Sequence, residues 1–187
     1  MHVALYGGSF NPPHLAHQMA ALYVLETAPV DQIWIIPTFR HPHGKALAPF
    51  EDRLTMCGLA VRALGPRARV SDVERELGAE SRTLRTLRRL RERFPTDAFS
   101  LVIGADLLTE VPSWYGGAEL QRSVPFIVVG RAGAPASGQG GLALPEISST
   151  QVRAALAAGK SVAGLVPRAV LDYIREHKLY QASEEPA

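Results

Sequence analysis

Two histidines three residues apart close the stretch Gly7-Gly8-Ser9-Phe10-Asn11-Pro12-Pro13-His14-Leu15-Ala16-His17. These residue types suit an anion. Glycine lets backbone N–H groups approach a ligand closely, and a helix N-terminus adds partial positive charge. A helix beginning here carries His14 and His17 on one face of its first turns, so both imidazoles reach toward the same bound group. The pattern is neither the GxxxxGK[ST] phosphate loop nor the GxGxxG dinucleotide turn. Zinc fits poorly, because HxxH has no Cys, Asp or Glu at the customary spacing and would need His41 and His43 to complete it. No protein-bound metal is expected.

A second cluster, Ile147-Ser148-Ser149-Thr150-Gln151-Val152-Arg153, places three hydroxyls and a guanidinium at a helix start. Capping explains one hydroxyl and leaves the others, and arginine binds phosphate oxygens bidentately. In Gly104-Ala105-Asp106 the aspartate serves either as a turn cap or as an acceptor for ribose hydroxyls. Trp114 and Tyr115 stand out in an aromatic-poor chain and read from sequence as core or interface residues. Between residues 82 and 94, Leu84, Leu87, Leu90 and Phe94 share one helical face, with Arg82, Arg85, Arg89 and Arg93 opposite. That is a solvated amphipathic surface, its charge diluted by Glu74, Glu76, Glu80 and Glu92, and it argues against nucleic acid.

The elements that must position these residues alternate in type. Apolar runs at His2–Tyr6, Gln32–Pro37, Phe99–Ile103 and Pro125–Val129 read as buried strands, with weaker candidates at Arg69–Val73 and Leu142–Leu144. Helical patterns run from Leu15 to Leu25, Phe50 to Leu64, Ser81 to Phe94, Ser113 to Leu120, Ser148 or Ser149 to Ala158, and Pro167 to His177. Thr38–Pro49, with Arg40, His41, His43 and Lys45, is a basic loop, and Gly130–Gly141 is expected to be a mobile one. The fold class is α/β: a doubly wound parallel sheet with helices on both faces. Ligands on such sheets bind beyond the strand C-termini, where the glycine-histidine stretch, the basic loop and Gly104–Asp106 all fall.

The chain has 187 residues, 47% hydrophobic and 20% charged, which suits one domain over residues 1–187. Its C-terminal helical part covers about 148–180, and the tail 182–187 is expected to be disordered. A net charge of +2 is too small to argue for nucleic acid. No signal peptide or membrane-length apolar run is evident, and the single cysteine, Cys57, makes no internal disulfide, so a cytoplasmic location is expected. Cys57 shares an apolar stripe with Phe50, Leu54, Val61 and Leu64 and reads as core.

Gly7–His17 resembles the GSFNPPHxGH signature of the nucleotidylyltransferases, particularly the bacterial nicotinate mononucleotide adenylyltransferases, with Ala16 in place of the usual glycine. Residues 147–153 match that family's ISSTxxR motif in full, and the likeness continues into Leu165-Val166-Pro167 and Tyr173-Ile174. The resemblance implies a Rossmann-like nucleotidylyltransferase domain in which the phosphate of nicotinate mononucleotide attacks the α-phosphorus of ATP. Pyrophosphate leaves, and deamido-NAD forms. It implies catalytic His14, His17 and Arg153, and ATP-binding Gly7, Gly8, Ser9, Phe10, His14, His17, Gly104, Asp106, Ile147, Ser148, Ser149 and Arg153. Lys45, Thr83, Trp114 and Tyr115 would bind the acceptor, with Trp114 stacking on the pyridine ring. Mg²⁺ is expected to come bound through ATP phosphates. Expected partners are ATP and nicotinate mononucleotide, with homo-oligomerisation open and neither nucleic acid nor membrane. Arg82 within Ser81-Arg82-Thr83 and Gly44 between His43 and Lys45 depart from the family pattern. Nicotinamide mononucleotide as acceptor, or a non-catalytic ATP sensor, are the alternatives.

Overall fold

The computed structural model describes residues 1–42, 44–78, 81–130 and 144–181. His43, Glu80, the glycine-rich run after Gly130, residues 142–143 of the expected last strand and the tail 182–187 lie outside them. Among the described residues five strands form one sheet: β1 (His2–Gly8), β2 (Gln32–Pro37), β3 (Ala68–Val70), β4 (Ala98–Gly104) and β5 (Phe126–Val129). Their order is β3-β2-β1-β4-β5, and every pairing is parallel. The apolar runs become the three central strands because both sheet faces are covered, so their side chains are mainly apolar, and the buried Ser100 of β4 is hydrogen-bonded to His2 Nε2 at 2.7 Å.

The described residues form seven α-helices: α1 (Leu15–Thr27), α2 (Phe50–Val61), α3 (Val73–Leu77), α4 (Thr83–Arg93), α5 (Gly117–Ser123), α6 (Ser149–Ala157) and α7 (Arg168–Glu176). On one face, Ala20, Ala21, Val24 and Leu25 of α1 and Cys57 and Val61 of α2 pack on Ala4, Ile33 and Ile35. On the other, Leu84, Leu87 and Leu90 of α4 and Leu120 of α5 pack on Val3, Leu5, Trp34 and Leu101. Each fully buried leucine or valine here contributes about 1.5–3 kcal/mol. A third cluster joins Met56 and Ala60 of α2 to Val152 of α6 and Val170, Leu171 and Ile174 of α7. The C-terminal helices therefore lean on the back of α2. Among the described residues no helix is long and apolar enough to cross a membrane.

Several boundaries differ from expectation. α2 ends at Val61 and tightens into a 3₁₀ turn over Arg62–Arg67, where Gly65 takes φ 71°. α3 was not expected: five residues are too few for periodicity to register, and Gly78 closes the helix at φ 62°. α4 begins at Thr83, not Ser81, because the Ser81 hydroxyl donates to the Glu74 carboxylate and leaves the helix N–H groups alone. The expected helix Ser113–Leu120 resolves into a 3₁₀ turn at Leu108–Ser113 and α5. Pro167 caps α7 from outside its first turn. Glu74 is buried and does not dilute the arginine face; Glu76 does, pairing with Arg89 at 3.2 Å and Arg93 at 2.6 Å, while Arg88 pairs with Glu119 at 2.7 Å. Cys57 is 1% exposed, and burial pushes its thiol up, out of the nucleophilic range. A disulfide-type thiol reagent is expected to leave native protein unlabelled and to modify one thiol per chain in urea; fast native labelling would contradict this burial.

Candidate active site

Strands β1 and β4 are neighbours, and the chain leaves β1 towards β2 but β4 towards β5, so the crossovers depart in opposite directions from their C-terminal ends. Open sheets bind ligands in the crevice at this switch point. A cavity of about 180 Å³ lies there, and Gly7, Gly8, His14, His17, Gly104 and Trp114 are among its walls. Two of the glycines lie close against neighbouring side chains. A Cβ on Gly8 would stand 3.1 Å from the Phe10 ring, and one on Gly104 would run into Asp106 Oδ1. Phe10 adopts φ 45°, turning its buried ring beneath the loop. There it meets Tyr6 edge-on at 5.6 Å and His17 at 4.9 Å. Ser9 lies between these two turns and gives its carbonyl to Arg53 at 3.0 Å.

His14 occupies the N-cap of α1 in an extended conformation and is 2% exposed, so it precedes the first turn and His17 lies within it. Its backbone N–H donates to His17 Nδ1 at 3.1 Å, and the two rings stack with centroids 3.6 Å apart. A neutral imidazole that accepts at Nδ1 carries its proton at Nε2. The helix start therefore selects the tautomer that makes His17 Nε2 a donor. Ala16, 5% exposed, borders the same cavity.

Residues 147–153 reach this loop from α6. Ser148 is the N-cap: Gln151 N–H donates to its Oγ at 3.2 Å, and its own N–H donates to Gln151 Oε1 at 3.0 Å. Ser149 Oγ donates to the Pro12 carbonyl at 2.8 Å. Arg153 Nη1 donates to the Asn11 carbonyl at 2.8 Å, and Nη2 donates to Thr150 Oγ1 at 3.3 Å. Ile147 packs into the α2–α6–α7 cluster. In this structure Ser148 and Ser149 thus bond to protein, capping α6 and docking it on the glycine-histidine loop.

The remaining expected residues divide. Asp106 is exposed two residues beyond β4, and Trp114 is half-buried against the α4–α5 face while bordering the cavity. Tyr115 is 48% exposed, with the Arg85 guanidinium 5.1 Å from its ring centre. Lys45 is exposed on its loop, and Thr83 is the first residue of α4; neither borders the cavity. Among the described residues no group of three His, Cys, Asp or Glu side chains could hold a metal ion.

Three residues that organise the site were not singled out from sequence. Asn11 Oδ1 accepts from Ala48 N–H at 3.0 Å and from the Tyr180 hydroxyl at 2.8 Å. Arg53, 1% exposed, donates from Nε to the Ala48 carbonyl at 2.9 Å and from Nη1 to the carbonyls of Ser9 at 3.0 Å and Thr38 at 2.7 Å. Burial lowers its pKa, yet a guanidinium stays charged there. Glu74 accepts from Phe39 N–H at 3.0 Å, from the Ser81 hydroxyl, and from Thr86 Oγ1 at 3.0 Å. Asn11 lay in plain view inside the first motif. Arg53 was visible as a charge on the Phe50–Cys57 stripe, and Glu74 carried no sequence signal.

A family profile described as cytidylyltransferase-like matches residues 5–155. A probable nicotinate-nucleotide adenylyltransferase of Anaeromyxobacter dehalogenans is 51% identical over 182 residues, 96% of this chain and 96% of that one. Another, from Myxococcus xanthus, is 41% identical over 184 residues, covering 98% of this chain and 97% of its own. The Plasmodium falciparum nicotinic acid mononucleotide adenylyltransferase, solved in complex with NaAD, superposes with a TM-score of 0.84 over 98% of this chain and 99% of its own; at 21% identity it speaks for the fold. At the identity and coverage of its bacterial relatives, this chain belongs to the nicotinate-nucleotide adenylyltransferase family of nucleotidyltransferase enzymes.

Proposed function

We propose that the chain transfers the adenylyl group of ATP to nicotinate mononucleotide, in NAD biosynthesis and in the cytosol. A phosphate oxygen of the acceptor forms a bond to the α-phosphorus, the bond from that phosphorus to the β-bridging oxygen breaks, and pyrophosphate leaves with the electron pair. The attacking group is already an oxyanion, so the protein's work is alignment and stabilisation of charge. The observation that carries the reading is the convergence at one cavity of the glycine turn, the His14–His17 pair at a helix start, and Trp114. Family membership supports it independently.

In this reading the turn at Gly7, Gly8, Ser9 and Phe10 brings backbone close to the triphosphate. His17 Nε2 and His14 face its oxygens, and Arg153 adds charge. Ser148, Ser149 and Ile147 form the α6 end of the ATP site, while Gly104 leaves room for the adenosine whose ribose Asp106 accepts. Trp114 and Tyr115, with Thr83 and Lys45, receive the pyridine nucleotide. Mg²⁺ enters as part of the MgATP substrate, held through its phosphate oxygens and water. The test is pyrophosphate release with MgATP, offering nicotinate and nicotinamide mononucleotides in parallel. Faster release with the nicotinate form is expected. Preference for nicotinamide would overturn the acceptor, and silence with both would overturn the reaction.

A further inference from the structure

We propose that Glu74 is a positioning residue for the acceptor half of the site, holding in register the two segments that carry Lys45 and Thr83. This rests on the acceptor-side reading of those two residues. Lys45 belongs to the loop that leaves β2 at Thr38, and Thr83 opens α4. Those segments meet around one buried carboxylate. Phe39 N–H donates to Glu74 Oε2 and to Ser81 Oγ, both at 3.0 Å, and the Ser81 hydroxyl donates to the same Oε2. Ser81 N–H donates to the Arg40 carbonyl at 2.9 Å. One turn into α4, Thr86 Oγ1 donates to Glu74 Oε1 at 3.0 Å. Thr83 sits between the two anchored positions, and the loop carrying Lys45 is anchored at its first turn.

A carboxylate suits this junction because three donors converge on it and it only accepts. At 7% exposure it would be costly without those bonds. The Phe39 ring meets Phe50 edge-on at 5.0 Å, so the loop start is also wedged apolar-side against α2. The contacts of Glu74 itself lie on the β2-loop and α4 side, whereas the glycine-histidine loop is held from Arg53, Tyr180 and α6 and meets the β2 loop only upstream of Phe39, through Arg53 and the Thr38 N–H bond to the Gly8 carbonyl at 2.9 Å. Loss of Glu74 should therefore be felt by the acceptor before ATP.

The experiment is steady-state pyrophosphate release by the full chain, with KM measured separately for nicotinate mononucleotide and for ATP. Glu74→Ala is expected to raise the acceptor KM about ten- to a hundredfold, the weight of hydrogen bonds to a charged group, with the ATP KM within about twofold. Glu74→Gln should recover most of the loss: its amide oxygen can serve Phe39 and Ser81, and Thr86 can redirect its proton to the Arg82 carbonyl, 3.3 Å away. If Glu74→Ala does not fold by circular dichroism, Ser81→Ala carries the same comparison with a several-fold shift expected. Equal shifts in both KM values, or an unchanged acceptor KM in a folded variant, would overturn the assignment while leaving the reaction intact. The wild-type chain run alongside must turn over nicotinate mononucleotide; silence there would overturn the reaction and this assignment together.

Discussion

Replacing His17 with alanine is expected to lower kcat for pyrophosphate release by about 10²–10³-fold, the cost of removing one preorganised donor from charge that develops in a transition state. The structure supplies the reason that His17 is preorganised. Its Nδ1 is occupied by the His14 N–H, which commits the proton to Nε2, and stacking against His14 at 3.6 Å holds the ring plane. The Phe10 edge closes the other side. In the proposed reaction this donor would meet the phosphate without reorganising. ATP affinity, measured by equilibrium titration, should change far less than kcat. Stability should fall by about 1 kcal/mol, since the variant loses one N-terminal helix contact. A kcat within about threefold of wild type would show that the imidazole is only a cap.

The second large effect is on stability. Arg53→Met is expected to cost about 3 kcal/mol or more in urea unfolding. Three partly buried carbonyls, of Ser9, Thr38 and Ala48, lose their donor at once, and each group left unsatisfied costs about 1 kcal/mol or more. The methionine fills much of the same volume, so the loss reports hydrogen bonding more than a cavity. Arg53→Lys should not rescue it, because one ammonium cannot reproduce the fork that spans Nε and Nη1. ATP binding should weaken in parallel, as the glycine turn and the loop after β2 share this anchor. A loss below about 1 kcal/mol would mean that water or backbone rearrangement satisfies those carbonyls.

The sheet was legible because its central strands are buried on both faces: Val3–Leu5, Ile33–Ile36 and Phe99–Ile103 could only be apolar runs. Residues 147–153 read as an α6 start for a similar local reason, since Ser148 and Gln151 form a capping box within four residues. The acceptor side was legible only through family resemblance. What local patterns missed depends on distant partners. Ser81 looks like a cap until Glu74 takes its hydroxyl. Glu74 looks like any surface acid, because a buried carboxylate differs from an exposed one only in its donors. Ser149 reads locally as a helix-start hydroxyl, and its bond to the Pro12 carbonyl, 137 residues away, has no local signal.

The same long reach bears on how the molecule comes into being. The glycine-histidine loop leaves the ribosome well before the residues that hold its carbonyls and amide, Ser149, Arg153 and Tyr180, which follow at separations of 137, 142 and 169 residues. Contacts of that span incur loop-closure entropy before they return any stabilisation, and they form late. Strands β1 and β2 can pair while α6 and α7 are still being synthesised, but the glycine-histidine turn gains its final set of donors only afterwards. A nascent sheet would thus exist for a time without a competent nucleotide site, and catalytic competence would be the last property this chain acquires.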